Sequence, residues 1–130
     1  MTNPSLASRK KILVIDDDPV AQKMLTDFLV AKGYQVHWAQ NGADGLEVAG
    51  LVDPDLVLCD VLLPRKSGFE VCFELKRAGN KERPVILMSA ILSGDADQRY
   101  AKEGVRADGF LAKPFTMSSM LSRIQELLPA

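Results

Sequence analysis

The chain has 130 residues, with 16 basic and 17 acidic side chains for a formal net charge of -1. That length suits one domain with a core of its own, and the balanced charge lacks the basic excess that tracks a phosphate backbone, so direct nucleic-acid binding is not expected. The polar start MTNPSLASRK has no signal-peptide core and no apolar run approaches spanning length, which excludes membrane insertion and points to a cytoplasmic location. Residues 1–9 read as a flexible tail and residues 10–130 as the domain. Cys59 and Cys72 have neither metal-knuckle nor disulfide-framework spacing and read as buried, reduced thiols.

The first element is a strand. In KILVIDDDP, the apolar run Ile12, Leu13, Val14 and Ile15 is followed at once by Asp16, Asp17 and Asp18. Three adjacent acids repel one another unless a cation compensates. Asp18 before Pro19 suits a helix cap, because Asp is a favoured N-cap and Pro a favoured first helical residue. Asp16 and Asp17 are then left as a cation site, since hard divalent ions prefer oxygen ligands. Residues 19–32 carry Val20, Met24, Leu25, Phe28 and Leu29 at helical spacing, and Gly33 suits a left-handed stop. Residues 35–39 alternate as a strand near a sheet edge would, with Val36 and Trp38 set between Gln35 and His37 and one face more polar, and His37, the one histidine, reads as a surface residue pointing away from the core.

Asn41-Gly42 reads as a turn before a short, weakly patterned helix over residues 43–50. Asp53-Pro54 breaks the chain ahead of a second apolar run, Leu56-Val57-Leu58-Cys59, which again ends in an acid, Asp60. A loop containing Pro64 leads to Ser67-Gly68-Phe69-Glu70, a capping-box pattern worth about 1 kcal/mol, and a helix over residues 68–77. Val85-Ile86-Leu87-Met88 is a third apolar run, ending in Ser89-Ala90. Residues 93–104 are polar, with only a loosely anchored helix expected. Residues 109–112 form a short last strand ended by Lys113-Pro114, and Thr116 caps a helix whose apolar face is Met117, Met120, Leu121, Ile124, Leu127 and Leu128.

Strands and helices alternate, and continuous apolar strands imply a parallel sheet covered on both faces, hence a doubly wound α/β fold. Ligands in such folds bind outside the carboxyl ends of the strands. Those ends deliver Asp16, Asp17, Asp60, Ser89 and Lys113 to one edge. The acids offer oxygen ligands for a Mg²⁺-sized ion, Ser89 and Lys113 can meet phosphoryl oxygens, and a carboxylate can itself be the nucleophile that forms an aspartyl phosphate. No Gly-x-x-x-x-Gly-Lys-Ser/Thr loop is present, so nucleoside triphosphate binding is not indicated.

In order along the chain, ILVIDDDP, LVLCDVLLPRKSGFEVC, VILMSA and FLAKPF resemble the receiver domain of two-component response regulators, of the stand-alone type. The resemblance implies a flavodoxin-like three-layer αβα sandwich with a five-stranded parallel sheet in the order 2-1-3-4-5. It implies that Asp60 accepts a phosphoryl group from a histidine kinase or a histidine phosphotransfer protein. Asp17 would ligate Mg²⁺ directly and Asp16 largely through water, with Asp60 and the backbone carbonyl of Leu62 as further ligands. Ser89 would be the switch hydroxyl, Phe110 the switch aromatic, Lys113 the phosphate-binding lysine before a cis-type bond to Pro114, and the Ala90 amide would face the phosphoryl group. The output implied is a shifted surface over residues 93–104, the last strand and the last helix, read by a downstream effector protein. Val20, Ala21, Pro114 and Phe115 flank the acids as candidates for docking the histidine donor.

Some residues depart from the family's pattern. Arg65, Lys66 and Ser67 stand where acidic or glycine-rich residues are frequent, and Phe110 lacks the hydroxyl that many relatives carry. Leu62 and Ile91, two residues beyond Asp60 and Ser89, are apolar where polar groups could position a hydrolytic water, which implies a long-lived phosphorylated state. Two other readings stay open. One is a receiver-like interaction module that works without phosphorylation. The other is a small phosphatase of the haloacid dehalogenase type, because Asp16-x-Asp18 matches that family's nucleophile motif, although its later acidic pair and cap insertion are missing.

Overall fold

The computed structural model describes residues 9–78, 83–90 and 107–128. In chain order the described elements are β1 (Lys11–Ile15), α1 (Pro19–Ala31), β2 (Gln35–Ala39), α2 (Gly42–Val52), β3 (Leu56–Asp60), α3 (Gly68–Ala78), β4 (Val85–Ser89), β5 (Gly109–Ala112) and α4 (Met117–Leu127). The strands form one five-stranded parallel sheet in the order β2-β1-β3-β4-β5, the flavodoxin-like order expected. The expected flexible tail lies, apart from Arg9, outside the described residues, as does the loosely anchored stretch 93–104.

Side-chain alternation divides the core into two layers. Ile12 and Val14 of β1, Leu56 and Leu58 of β3, and Ile86 and Met88 of β4 pack under Leu25 and Leu29 of α1 and Met120 and Ile124 of α4. Leu13 and Ile15, Val57 and Cys59, and Val85 and Leu87 face the other way, against Ala49 of α2 and Val71, Cys72 and Leu75 of α3. Each fully buried Leu or Ile contributes about 1.5–3 kcal/mol, which explains why the three central strands read as unbroken apolar runs. Cys59 and Cys72 are both buried thiols, and burial pushes Cys72 up to about 12, so neither is a ready nucleophile. No helix among the described residues is long and apolar enough to cross a membrane.

Helix boundaries follow local chemistry. The Asp18 carboxylate accepts from the Val20 N–H at 2.9 Å, with Pro19 at the first helical position, and Gly33 takes φ +98° after α1. Ser67 Oγ accepts from the Glu70 N–H at 3.2 Å, and Thr116 Oγ1 from the Ser119 N–H at 3.0 Å. The expected turn at Asn41-Gly42 is instead a helix start. Asn41 Oδ1 accepts from the Asp44 N–H at 2.8 Å, and α2 runs two residues beyond the expected end at Gly50. Gly42 and Gly45 are small because of close approach, since a Cβ there would lie 2.3 Å from the Lys66 carbonyl oxygen and 2.5 Å from Ile15 Cδ1.

The reading of His37 as a surface residue is corrected. His37 lies opposite Leu13 in the β1–β2 register and is half-buried, and its Nε2 is enclosed without a hydrogen-bond partner among the described residues. The physical reason is that α2 packs against β2 and covers a face that a strand at the sheet edge would otherwise show to water.

At the amino end of the sheet, Lys76 of α3 pairs with Asp108, whose carboxylate also accepts from the Val85 N–H at 2.8 Å. Arg83 pairs with Asp53 at 2.7 Å. The Asp108→Ala variant leaves the mostly buried Lys76 ammonium with the Arg83 carbonyl but no counter-charge and takes the acceptor from a strand N–H, and a loss of about 2 kcal/mol is expected. Urea unfolding checks this: the midpoint falls while the slope stays constant.

Candidate functional site

The carboxyl ends of β1, β3, β4 and β5 meet at one edge. Asp16 follows β1 and is 0% exposed, Asp60 ends β3 at 8%, and Ser89 ends β4 at 1%. Lys113 follows β5, and its backbone N–H donates to the Ser89 carbonyl at 3.0 Å, so β4–β5 pairing continues into the site. Lys113 is joined to Pro114 by a cis peptide bond.

Lys113 bridges the two buried acids. Its Nζ donates to Asp60 Oδ2 at 3.1 Å and to Asp16 Oδ2 at 3.3 Å. The remaining oxygens are also engaged: Asp16 Oδ1 accepts from the Asp18 N–H at 2.9 Å, and Asp60 Oδ1 from the Leu62 N–H at 3.3 Å. Asp17 is exposed. Carboxylate oxygens of Asp16, Asp17 and Asp60 all lie within 4.8 Å of one another.

The electrostatics leave the cluster short of positive charge. Burial raises the pKa of Asp60, Lys113 pulls it back, and the neighbouring Asp16 charge raises it further, so the net direction is upward. For Lys113, burial works against the ammonium, but the hydrogen bond to Asp60 and the charges of both acids outweigh it and hold the pKa above the usual lysine range. Three carboxylates face one ammonium group. The donor set is entirely carboxylate oxygen, without His or Cys, and fits a hard divalent cation such as Mg²⁺.

The other expected residues are placed as follows. Leu62 has its side chain 59% exposed, and Ala90 is exposed beside the acids. Phe110 lies opposite Leu87 on β5, half-buried against the α2–α3 layer. Ile91 is outside the described residues. Gly68 starts α3 hard against the strand end, because a Cβ there would lie 2.2 Å from the Asp60 carbonyl oxygen. Arg65 has φ +73°, and it and Lys66 pair with Asp44 and Glu74. A groove of about 420 Å³ opens beside the acids, lined by Asp16, Ala21, Met24, Ala90, Lys113 and Phe115 among others. Sequence reasoning missed one residue that touches the cluster. Trp38 Nε1 donates to the Asp16 carbonyl oxygen at 3.0 Å, a contact that only the β1–β2 register could have revealed.

Residues 12–125 match the family model described as "Response regulator receiver domain". The chain belongs to that family. It is 36% identical over 118 residues to "Response regulator MprA" of Mycobacterium sp. (strain KMS), covering 91% of this chain and 50% of that protein. The signal receiver domain of a signal transduction histidine kinase from Syntrophus aciditrophicus shares 32% identity at a TM-score of 0.80, covering 92% of this chain and 89% of that one. The BeF3-activated N-terminal receiver domain of Klebsiella pneumoniae RstA shares 26% identity at a TM-score of 0.83, covering 93% of this chain and all of that one. The receiver spans about half the length of the curated relatives it matches. Its acidic cluster is consistent with the phosphoaspartate signalling and Mg²⁺ site of receivers.

Proposed function

We propose that this receiver takes a phosphoryl group from a phosphohistidine donor, a histidine kinase or a histidine phosphotransfer protein, onto Asp60. The observation that carries this is the Lys113 ammonium held between Asp60 and Asp16 beside a third carboxylate. A carboxylate oxygen of Asp60 attacks phosphorus, the P–N bond to the donor imidazole breaks, and its electron pair stays on the histidine nitrogen. Lys113 and the Ala90 N–H meet the phosphoryl oxygens, Ser89 turns its hydroxyl to one of them, and Phe110 fills the space vacated. Asp16, Asp17, Asp60 and the Leu62 carbonyl are the residues that would hold Mg²⁺. When bound, the ion offsets the negative charge of the phosphoryl oxygens and the carboxylates. Asp17 is exposed whereas Asp16 is wholly buried, which supports a direct contact from Asp17.

The histidine donor docks in the groove beside the acids, where Ala21, Pro114 and Phe115 line the wall and Val20 stands exposed nearby. A downstream effector reads the altered surface. Incubation with Mg²⁺ and a small phosphoryl donor, followed by mapping of the label, tests the reading. Stoichiometric label on Asp60 is expected; turnover of a phosphomonoester would instead identify a phosphatase, and cellular output unchanged in Asp60→Asn would identify a module that works without phosphorylation.

The exposed Leu62 side chain offers no polar group to orient an attacking water. The label on Asp60 is therefore expected to last for minutes or longer in Mg²⁺ buffer. Decay within seconds, followed by release of inorganic phosphate, would overturn this.

A further inference from the structure

The segment that carries Asp16 and Asp17 is held from the sheet edge. The Asp16 N–H donates to the Ala39 carbonyl at 3.1 Å, and the Asp16 carbonyl accepts from Trp38 Nε1 at 3.0 Å. Both bonds come from neighbouring residues of β2. The peptide group joining Asp16 to Asp17 is planar, so fixing its carbonyl oxygen also fixes the direction in which the chain enters Asp17. Asp16 is buried and its carboxylate is further restrained by the Asp18 N–H and Lys113. Asp17 is exposed, and its aim depends on the backbone. The rest of the indole lies in an open groove with Val48 and Leu51 of α2, so the contact to Asp16 is its polar anchor.

We infer that Trp38 is a positioning residue for the cation site, acting through the Asp16–Asp17 peptide to aim the Asp17 carboxylate. The inference rests on the reading of Asp16, Asp17 and Asp60 as a Mg²⁺ site. Trp38→Phe keeps an aromatic ring in the groove and removes the N–H donor together with the second ring of the indole. Groups that bond a metal ligand directly are worth about 10–100-fold in affinity, and Trp38 acts one peptide away, so about fivefold weaker binding is expected.

Calorimetric titration with Mg²⁺ alone reads this without any phosphotransfer. The Trp38→Phe variant is expected to bind about fivefold more weakly, whereas Leu51→Ala, which alters the same groove without touching Asp16, is expected to bind as the native chain does. A merely structural Trp38 would lower the metal-free unfolding temperature and leave the Kd unchanged, and an unchanged Kd overturns the inference. The chain has one Trp, so the native protein gives one indole N–H resonance. It is expected to shift on Mg²⁺ addition with the calorimetric Kd, and a resonance that stays in place through saturation also overturns the inference. If the native chain takes up no Mg²⁺, the reading of the site itself falls and this inference with it; binding by the native chain with equal binding by Trp38→Phe removes this inference alone.

Discussion

Asp60→Asn is expected to abolish phosphoryl labelling while making the metal-free protein more resistant to urea. The two effects have one origin. Asp60 ends β3 in a buried position beside Asp16, and its raised pKa means that the fold disfavours its charge despite Lys113. A neutral amide removes that penalty together with the nucleophile. The sign of the pH dependence follows. The folded pKa lies above the unfolded one, so ionised Asp60 destabilises the native state at neutral pH, and the native chain regains stability as pH falls through the raised value toward the ordinary value of about 3.9. The advantage of the Asn variant should therefore be full at pH 7 and shrink across that acidic window. Urea midpoints with chelator present, measured from pH 7 downward, check it; a less stable Asn variant at pH 7 would contradict the account. Mg²⁺ should stabilise the native chain more than the variant, because the ion binds only the folded site and the variant lacks one ligand.

Lys113→Met tests the opposite side of the balance. It leaves Asp16 and Asp60 facing each other without a cation. Breaking a buried pair costs about 3–5 kcal/mol, and the 30% exposure of the lysine side chain reduces this to about 2 kcal/mol. The raised Lys113 pKa supports the native state at every pH below the ordinary lysine value, and that support is lost as pH rises through the folded value. The stability gap to the native chain should thus be widest near neutrality, narrowing in acid as the carboxylates protonate and again in strong alkali. Saturating Mg²⁺ should recover part of the deficit. Labelling of Asp60 should slow by about 100-fold, the usual consequence of losing one charged contact to a transition state. A variant as stable as the native chain in chelator would show that the acids are compensated from elsewhere.

How much could be read from the sequence differs between the centre of the sheet and its edge. β1, β3 and β4 are buried on both faces, so their apolar runs announced themselves, and the acids or hydroxyl that end them marked the site edge. Edge strand β2 was harder, because both of its faces are partly covered and a period of two does not say which side meets a helix. That is where His37 was misplaced and the contact from Trp38 to Asp16 went unseen. α2 read as a short, weakly patterned helix, and its three glycines gave no sign of a packing role. Two of them are instead sites of close packing against Lys66 and Ile15, a tertiary demand that no local propensity encodes.

The ion pairs at the amino end of the sheet, Lys76 with Asp108 and Arg83 with Asp53, give the molecule a polarity beyond their local energies. In each of these pairs one charge offsets the other, whereas among the described residues at the carboxyl end the acids outnumber the bridging lysine. One rim is built to stay as it is, and the other to respond when its electrical imbalance is relieved. A saturation mutagenesis map should split along the same axis: substitutions at the amino rim should lower protein abundance and leave signalling per molecule intact, those at the acids of the carboxyl rim should lower signalling per molecule with little loss of abundance, and at the bridging Lys113 both should fall.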